Sequence, residues 1–123
     1  MGENGFRDLQ VWQLSKGLSV YIYNITDSGS FSKDFGLREQ IRKAAVSIPS
    51  KIAEGEERNT NKEAVRFFSI AKGSLAEVVT QIIISKEVGY LEDDECHNIL
   101  EKCKVIGKKL GKLIKVRSNS YNP

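Results

Sequence analysis

Apolar residues recur every three or four positions in four stretches of the chain, which is the spacing of one buried face of an α-helix. The stretches cover about residues 9–26, 37–56, 62–88 and 93–115. No segment shows the alternation of apolar and polar residues that a half-buried β-strand requires. The pattern therefore predicts an all-α protein with four helices.

Each predicted helix has an apolar seam that we expect to form the core. The seam of helix one is Val11, Leu14, Leu18, Tyr21 and Ile25, and that of helix two is Leu37, Ile41, Ala44, Ala45, Ile48 and Ile52. The seam of helix three is Ala64, Phe68, Ala71, Leu75, Val78 and Ile82, and that of helix four is Cys96, Ile99, Cys103, Ile106, Leu110 and Leu113. Four amphipathic helices with short links predict an antiparallel up-down-up-down four-helix bundle, with residues 1–123 as one domain.

Polar residues, glycine and proline indicate where the helices begin and end. Asp8 is a plausible N-cap for helix one, and the Ser-, Gly- and Asp-containing residues 27–34 predict a loop. Pro49 falls inside helix two and removes one backbone donor, so we expect a kink there. Gly89 indicates a turn before helix four, and the polar residues 118–123 predict a frayed tail.

Two helices have more apolar surface than one buried face needs. Helix one has a second stripe consisting of Leu9, Trp12, Val20 and Tyr23. Helix three has Ile70 and Ile84 roughly opposite its seam. A helix in a monomeric bundle needs one apolar face, and an additional face that contains Trp and Tyr is typical of a protein interface. These residues predict contacts with a protein partner.

Charge along the chain is uneven, although the net charge at pH 7 is only +3. Residues 92–95 are all acidic, whereas residues 102–117 include seven basic residues and no acidic one. Acidic residues at the start of a helix and basic residues at its end are also favoured by the helix dipole. Part of the asymmetry therefore has a purely structural explanation.

Basic residues on two helices form candidate nucleic-acid faces. The residues that we assign to them are Lys104, Lys108, Lys112 and Lys115 on helix four, with Arg38, Arg42 and Lys43 on helix two. Such faces can neutralise phosphates without reading the base sequence. No aromatic residues alternate with the lysines of helix four, so base stacking on that stripe is not supported. The alternative interpretation is an ordinary solvated helix face.

Residues that could support catalysis or metal binding are sparse. Glu54, Glu56 and Glu57 cluster at a helix end, where salt bridges explain them as well as acid–base chemistry does. The single histidine, His97, has no ligand partners at zinc-type spacing. Cys96 and Cys103 are two helical turns apart, about 10 Å, which is too far for a disulfide. We therefore expect no cofactor, no metal and no enzymatic activity.

The sequence lacks two features that would direct a protein out of the cytoplasm. No apolar run approaches the roughly 20 residues that span a bilayer. The first six residues also lack a basic region followed by an apolar stretch, as a signal peptide would have. We therefore expect a cytoplasmic protein without a membrane partner.

Four segments together resemble a known bacterial family. They are SIPSKIAEG at 47–55 with Arg58 after it, FRDLQVW at 6–12, GLREQIRKAA at 36–45 and IAKGSLAE at 70–77. The family is that of the four helix bundle proteins, also called 23S ribosomal RNA intervening-sequence proteins, and the resemblance covers about residues 6–113. Lys51 departs from it, because the family usually has Asn there.

The resemblance implies a four-helix bundle that forms a ring-like homopentamer and has no enzymatic activity. Some members are encoded within sequences that interrupt large-subunit ribosomal RNA genes. A relative, the accessory variability determinant of diversity-generating retroelements, assists a reverse transcriptase and binds nucleic acid through basic surfaces. In such a ring, the two extra apolar stripes would face neighbouring subunits, and Glu54 and Arg58 could pair between them.

Two functions from different classes follow. The first is a non-catalytic homo-oligomeric scaffold that binds RNA or DNA through basic faces without sequence specificity. The second is a protein–protein adaptor, for example for a reverse transcriptase, that has no nucleic-acid contact of its own. Salt dependence distinguishes the two functions. Counterion release predicts that nucleic-acid binding by the scaffold weakens steeply as the salt concentration rises, whereas the adaptor shows no such binding at physiological salt.

Overall fold

The four predicted helical stretches are all helices in the computed structural model, which describes residues 5–119. A short 3-10 helix, Gly5–Asp8, precedes α1 (Gln10–Ile25). The other helices are α2 (Gly29–Lys33), α3 (Phe35–Glu56), α4 (Asn61–Glu87) and α5 (Asp93–Ser118). No strand occurs among the described residues. The all-α prediction is thus confirmed, and residues 120–123 of the predicted frayed tail lie outside the described part.

Several boundaries differ from the prediction. The last helix, α5, continues to Ser118, so the first residue of the predicted frayed tail is helical. The predicted loop at 27–34 contains α2, and α3 begins two residues early because the Oδ1 of Asp34 accepts a hydrogen bond of 3.1 Å from the backbone N–H of Leu37. The predicted N-cap of helix one is wrong. Leu9 occupies the N-cap position without a side-chain cap, and Asp8 belongs to the preceding 3-10 helix.

Neighbouring long helices run antiparallel. Ser19 Oγ in α1 donates to the carbonyl of Ala45 in α3 at 2.8 Å, and Thr26, directly after α1, accepts from the earlier α3 residue Arg42. In the other neighbouring pairs, too, a later residue of one helix contacts an earlier residue of the other. For α3 and α4 the contacts are Ser47 with Ser74 and Gly55 with Phe68. For α4 and α5 they are Asn61 with Arg117 and Lys86 with Asp93, and for α1 and α5 they are Gln10 with Lys109 and Tyr21 with Asn98. The long helices therefore form a closed antiparallel bundle in which α1 lies diagonal to α4 and α3 lies diagonal to α5.

The core consists largely of the predicted seams. The predicted seam of α4 is buried throughout: Ala64, Phe68, Ala71, Leu75, Val78 and Ile82. In α1, however, the buried face is Val11, Ser15, Leu18, Ser19 and Ile22, whereas Leu14 is exposed and Tyr21 is half-buried. Ser15 and Ser19 satisfy their hydroxyls by donating to backbone carbonyls, so a small polar side chain can occupy a core position there.

The helix α3 continues through Pro49, which is buried.

The helix α4 (Asn61–Glu87) is long and apolar enough, by length and composition alone, to cross a membrane. Its buried seam packs in the centre of the bundle, and a core helix of a soluble protein commonly has the same composition.

Candidate nucleic-acid and assembly surfaces

The four lysines predicted on the last helix form one exposed stripe. Lys104, Lys108, Lys112 and Lys115 follow one another every three or four residues along α5 and point away from its buried seam. From first to last they span 11 residues, or about 16 Å at the rise of an α-helix. None of them makes a hydrogen bond or ion pair within the described chain. We call these four residues the lysine stripe.

The lysines at the edge of this face differ from the stripe because they contact α1. Lys109 Nζ donates to Gln10 at 2.9 Å, and the Lys102 ammonium lies 5.3 Å from the ring centre of Tyr21. These two lysines therefore connect α5 to α1.

The two arginines predicted for the same function have partners inside the chain. Arg42 donates to Thr26 Oγ1 at 2.8 Å and to the carbonyl of Tyr23 at 3.2 Å, and its guanidinium lies 4.4 Å from the Tyr23 ring centre. Arg38 donates to the carbonyl of Ser32 at 3.0 Å and lies over the ring of Phe35. Both side chains bind carbonyls near helix ends. Their contact with nucleic acid stays a prediction.

Lys43 lies exposed beside a polar pocket between α3 and α4. The lining residues are Gln40, Lys43, Ala44, Ser47, Ser74, Glu77 and Gln81. At its floor, Ser74 Oγ and Ser47 Oγ are hydrogen-bonded at 2.9 Å, while the buried Oε1 of Gln81 has no hydrogen-bond partner. Sequence periodicity did not indicate this pocket, because it detects apolar faces and these residues are mostly polar.

The second stripe of helix one lies at the outside of the bundle, toward α3. Val20 is 56% exposed and Tyr23 is 45% exposed, whereas Leu9 and Trp12 are half-buried against the core. Phe6 covers part of Trp12, with ring centres 5.2 Å apart. We call Leu9, Trp12, Val20 and Tyr23 the α1 stripe.

Ile70 and Ile84 are 43% and 45% exposed on the outer side of α4. Since they are 14 residues apart, they share one helix face, the side that borders the α3–α4 pocket. The α1 stripe and this part of α4 thus lie on different faces of the bundle.

Glu54 and Arg58 are not paired with each other inside the chain. Glu54 forms an ion pair with Lys51 at 3.2 Å, and the Arg58 guanidinium lies 4.3 Å from the ring centre of Phe67. Both residues are exposed, Glu54 in the last turn of α3 and Arg58 in the connection to α4. The predicted pairing of Glu54 and Arg58 between subunits stays a prediction.

Gly55 allows α3 and α4 to approach closely. A Cβ at Gly55 would lie 2.6 Å from Cε1 of Phe68 and 3.1 Å from the carbonyl oxygen of Ala64. Beside this contact, Arg117 donates to Asn61 and, at 2.6 Å, to Glu56, whose side chain is only 6% exposed. The close approach of the two helices explains why glycine occupies position 55, the last residue of the SIPSKIAEG segment.

The described residues offer little reactive chemistry. They contain no group of three or more His, Cys, Asp or Glu side chains that could hold a metal ion. Cys96 and Cys103 are both free and buried, and burial raises the pKa of the Cys103 thiol to about 11. The hydrogen bond that Tyr90 donates to Asp34 raises the pKa of that tyrosine. Neither shift produces a nucleophile at neutral pH.

Comparisons with known proteins agree with this architecture. The sequence profile described as 23S rRNA-intervening sequence protein matches residues 7–112. No curated protein matches the chain. A crystal structure of a protein of unknown function from the S23 ribosomal protein family of Bacteroides thetaiotaomicron is similar, with a TM-score of 0.80 and 23% identity. The similarity covers 85% of this chain and 95% of that one. With most of its length matched, the chain belongs to the 23S rRNA-intervening sequence protein family.

Proposed function

We propose that the chain is a non-catalytic homo-oligomeric scaffold that binds RNA or DNA through its basic surface, without sequence specificity. The observation that carries this proposal is the lysine stripe, which is exposed and has no partner within the described chain. An unpaired cation on a rigid helix can bind a phosphate without first breaking an internal contact. A helix presenting four such cations favours the nucleic-acid backbone over its base edges.

Assembly of several copies would repeat the lysine stripe once in each subunit. Several copies of one basic surface on a closed oligomer raise the local positive potential and the number of phosphates bound at once. Exposed apolar residues on α1 and α4 support an assembly, because they leave apolar surface in water in the single chain. Five copies in a ring is the arrangement that the family resemblance implies.

The two surfaces are compatible. The lysine stripe lies on the outer side of α5, which neighbours α4 and α1 but is diagonal to α3. The α1 stripe and the α4 face that contains Ile70 and Ile84 lie toward α3. Subunits that associate through these residues would therefore leave the lysine stripe open to nucleic acid.

The test is a salt-dependent binding measurement with Lys108→Glu/Lys112→Glu. Both side chains are exposed and unpaired, so we expect the fold to persist while affinity for a mixed-sequence RNA or DNA duplex falls. Each phosphate contact that is lost makes the negative slope of log K against log salt less steep by about 0.9. Charge reversal at two positions should thus reduce the steepness by about 2 for each lysine stripe that contacts the nucleic acid.

The matched control is Lys33→Glu/Lys86→Glu, which changes the net charge equally on exposed residues away from α5's basic half; it also removes the exposed ion pair of Lys86 with Asp93. Binding that falls equally in both variants would indicate attraction to net charge alone and contradict the assignment to the lysine stripe. Circular dichroism and solution mass are measured for both variants, so that a change in fold is detected.

One observation favours the adaptor as a second candidate. Between α1 and α5, Leu14, Gly17 and Val105 line an open groove of about 250 Å³ with an apolar floor of Leu18 and Ile106. A protein partner such as a reverse transcriptase could place an apolar side chain there. An assembly that binds no duplex at low salt would favour this adaptor over the nucleic-acid scaffold.

A further inference from the structure

Two exposed helix faces of this chain have matching spacing and opposite charge. On α1, Leu9 and Tyr23 lie seven residues before and seven residues after Lys16. On α4, Ile70 and Ile84 lie seven residues before and seven residues after Glu77. Seven residues are almost two helical turns, about 10 Å, so each set lies on one face of its helix.

From these patterns we infer that the partner of the α1 stripe is α4 of a second copy, with Lys16 of one copy facing Glu77 of the next. This inference rests on the proposal that the chain assembles with itself, and it specifies the surfaces that meet. When the two charges are aligned, the apolar residues on either side also align, about 10 Å away in both directions. The match holds whether the two helices run parallel or antiparallel.

The charged residues at the two centres are available for this contact. The Lys16 ammonium lies 5.4 Å from the ring centre of Trp12 and has no ion pair, and Glu77 has no hydrogen bond or ion pair within the described chain. Lys43 lines the same pocket as Glu77 but does not form an ion pair with it. Both side chains are exposed, so pairing them between copies removes little of their hydration until the apolar flanks close around them.

The outer face of α4 also has room for a second helix. Gly73 lies one turn before Glu77, and a Cβ built there would meet no neighbouring atom within 4 Å. A glycine inside a helix costs about 1 kcal/mol relative to alanine, and no packing among residues 5–119 requires a glycine at position 73. Small residues permit close approach of helices, and here the space lies next to Ile70.

The contact has to be formed between copies. The helices α1 and α4 are diagonal in the bundle, and each packs mainly against α3 and α5. A stripe on one copy that docks on a different face of the next is a head-to-tail, heterologous interface. Each added copy leaves one stripe and one α4 face free, and such a chain of contacts is completed only by closing a ring.

The experiment uses charge reversal in the full chain, read as mass against concentration by light scattering. Lys16→Glu places two carboxylates opposite each other, and Glu77→Lys places two ammonium groups opposite each other. Like charges across an interface are strongly unfavourable, so we expect each single variant to associate at least about tenfold more weakly. The double variant Lys16→Glu/Glu77→Lys restores opposite charges and should recover most of the assembly.

Mixing gives the decisive measurement. In a mixture of equal amounts of Lys16→Glu and Glu77→Lys, the carboxylate introduced in one chain faces the ammonium group introduced in the other. The reverse contact, between the unchanged Lys16 and the unchanged Glu77, is also attractive. Larger species should therefore return on mixing, which no contact within one chain explains. Lys33→Glu and Glu101→Lys are controls with equal charge changes on exposed residues outside both faces, and they should assemble normally.

The outcomes separate this inference from the proposal beneath it. If the parent chain assembles but the single variants keep its mass, or if mixing restores nothing, the pairing of Lys16 with Glu77 is wrong and the scaffold proposal stands. If the parent chain is a monomer at every concentration, the assembly proposal is itself wrong. Nucleic-acid binding is measured on the same samples, and it should weaken in variants that lose assembly, because fewer copies of the lysine stripe then act together.

Discussion

The inner and outer faces of α4 are both rich in apolar residues, but they differ in what surrounds them. On the inner face, Phe68, Val78 and Ile82 are fully buried by the neighbouring helices. On the outer face, Ile70 and Ile84 retain much of their surface in water. Apolar composition alone therefore does not identify the residues that stabilise the single chain. The geometry of the bundle does, since only the inner face gains from burial when the chain folds.

The largest difference between the faces should appear when apolar side chains are shortened. Phe68→Ala leaves a cavity in the core, and we expect the free energy of unfolding to fall by about 3–5 kcal/mol. Ile70→Ala changes an exposed side chain and should alter the stability of the monomer by less than about 0.5 kcal/mol. Urea unfolding at low protein concentration measures both. Similar losses in the two variants would mean that the outer face is also buried within one chain.

The same measurement at high protein concentration sharpens the comparison. Anything that binds only the folded chain stabilises it by mass action. If copies associate through the outer face, Ile70→Ala should reduce the dependence of apparent stability on protein concentration. Phe68→Ala should lower stability at every concentration.

Two glycines give an intermediate effect of opposite sign. Gly55→Ala places a methyl group 2.6 Å from the buried Phe68 ring and 3.1 Å from a backbone oxygen, so we expect a net loss of about 1–3 kcal/mol. Gly73→Ala meets open space on the outer face and should stabilise the monomer by up to about 1 kcal/mol through helix propensity. Thermal or urea unfolding decides the signs. A stabilising Gly55→Ala would contradict the close contact of α3 and α4.

The effect that is smallest near neutral pH is a pH dependence inside the core, which appears only above about pH 9. Burial raises the pKa of Cys103 from 9.0 to about 11, so between these values the unfolded chain releases a proton that the folded chain keeps. Stability is thus fully present below about pH 9 and falls as the pH rises toward 11; the loss from this group is about 1.4 kcal/mol at pH 10 and at most about 2.7 kcal/mol above pH 11. Comparing unfolding of the parent and Cys103→Val across this range isolates the thiol. Parallel curves would show that Cys103 ionises equally in both states.

Sequence pattern predicted the buried face of α4 well, because all six residues of its seam are large or small apolar groups at helical spacing. It was less successful for α1, where Ser15 and Ser19 occupy core positions that hydropathy assigns to Leu14 and Tyr21. Their hydroxyls bond to carbonyls of Trp12, Ser15 and Ala45, and only the folded arrangement provides the contact to α3. A pattern of residue types does not contain that partner.

The candidate surfaces divide in the same way. The lysine stripe could be predicted because helical spacing alone places its four residues on one face. The intramolecular contacts of Arg38 and Arg42 could not, since their partners are the carbonyls of Ser32 and Tyr23 on other helices. Residue type identifies a cation, whereas its availability to an external ligand depends on tertiary structure.

The contact between α1 and α5 has a consequence for the order in which the helices of the bundle come together. The other neighbouring pairs of long helices are consecutive along the chain, but this pair joins residues as far apart as Gln10 and Lys109. Bringing distant segments together carries the largest loop-closure entropy, and two of the hydrogen bonds between α1 and α5 are exposed. We expect α1 and α5 to meet last during folding and to separate first, so that amide hydrogens of α1 exchange before those of α3 and α4.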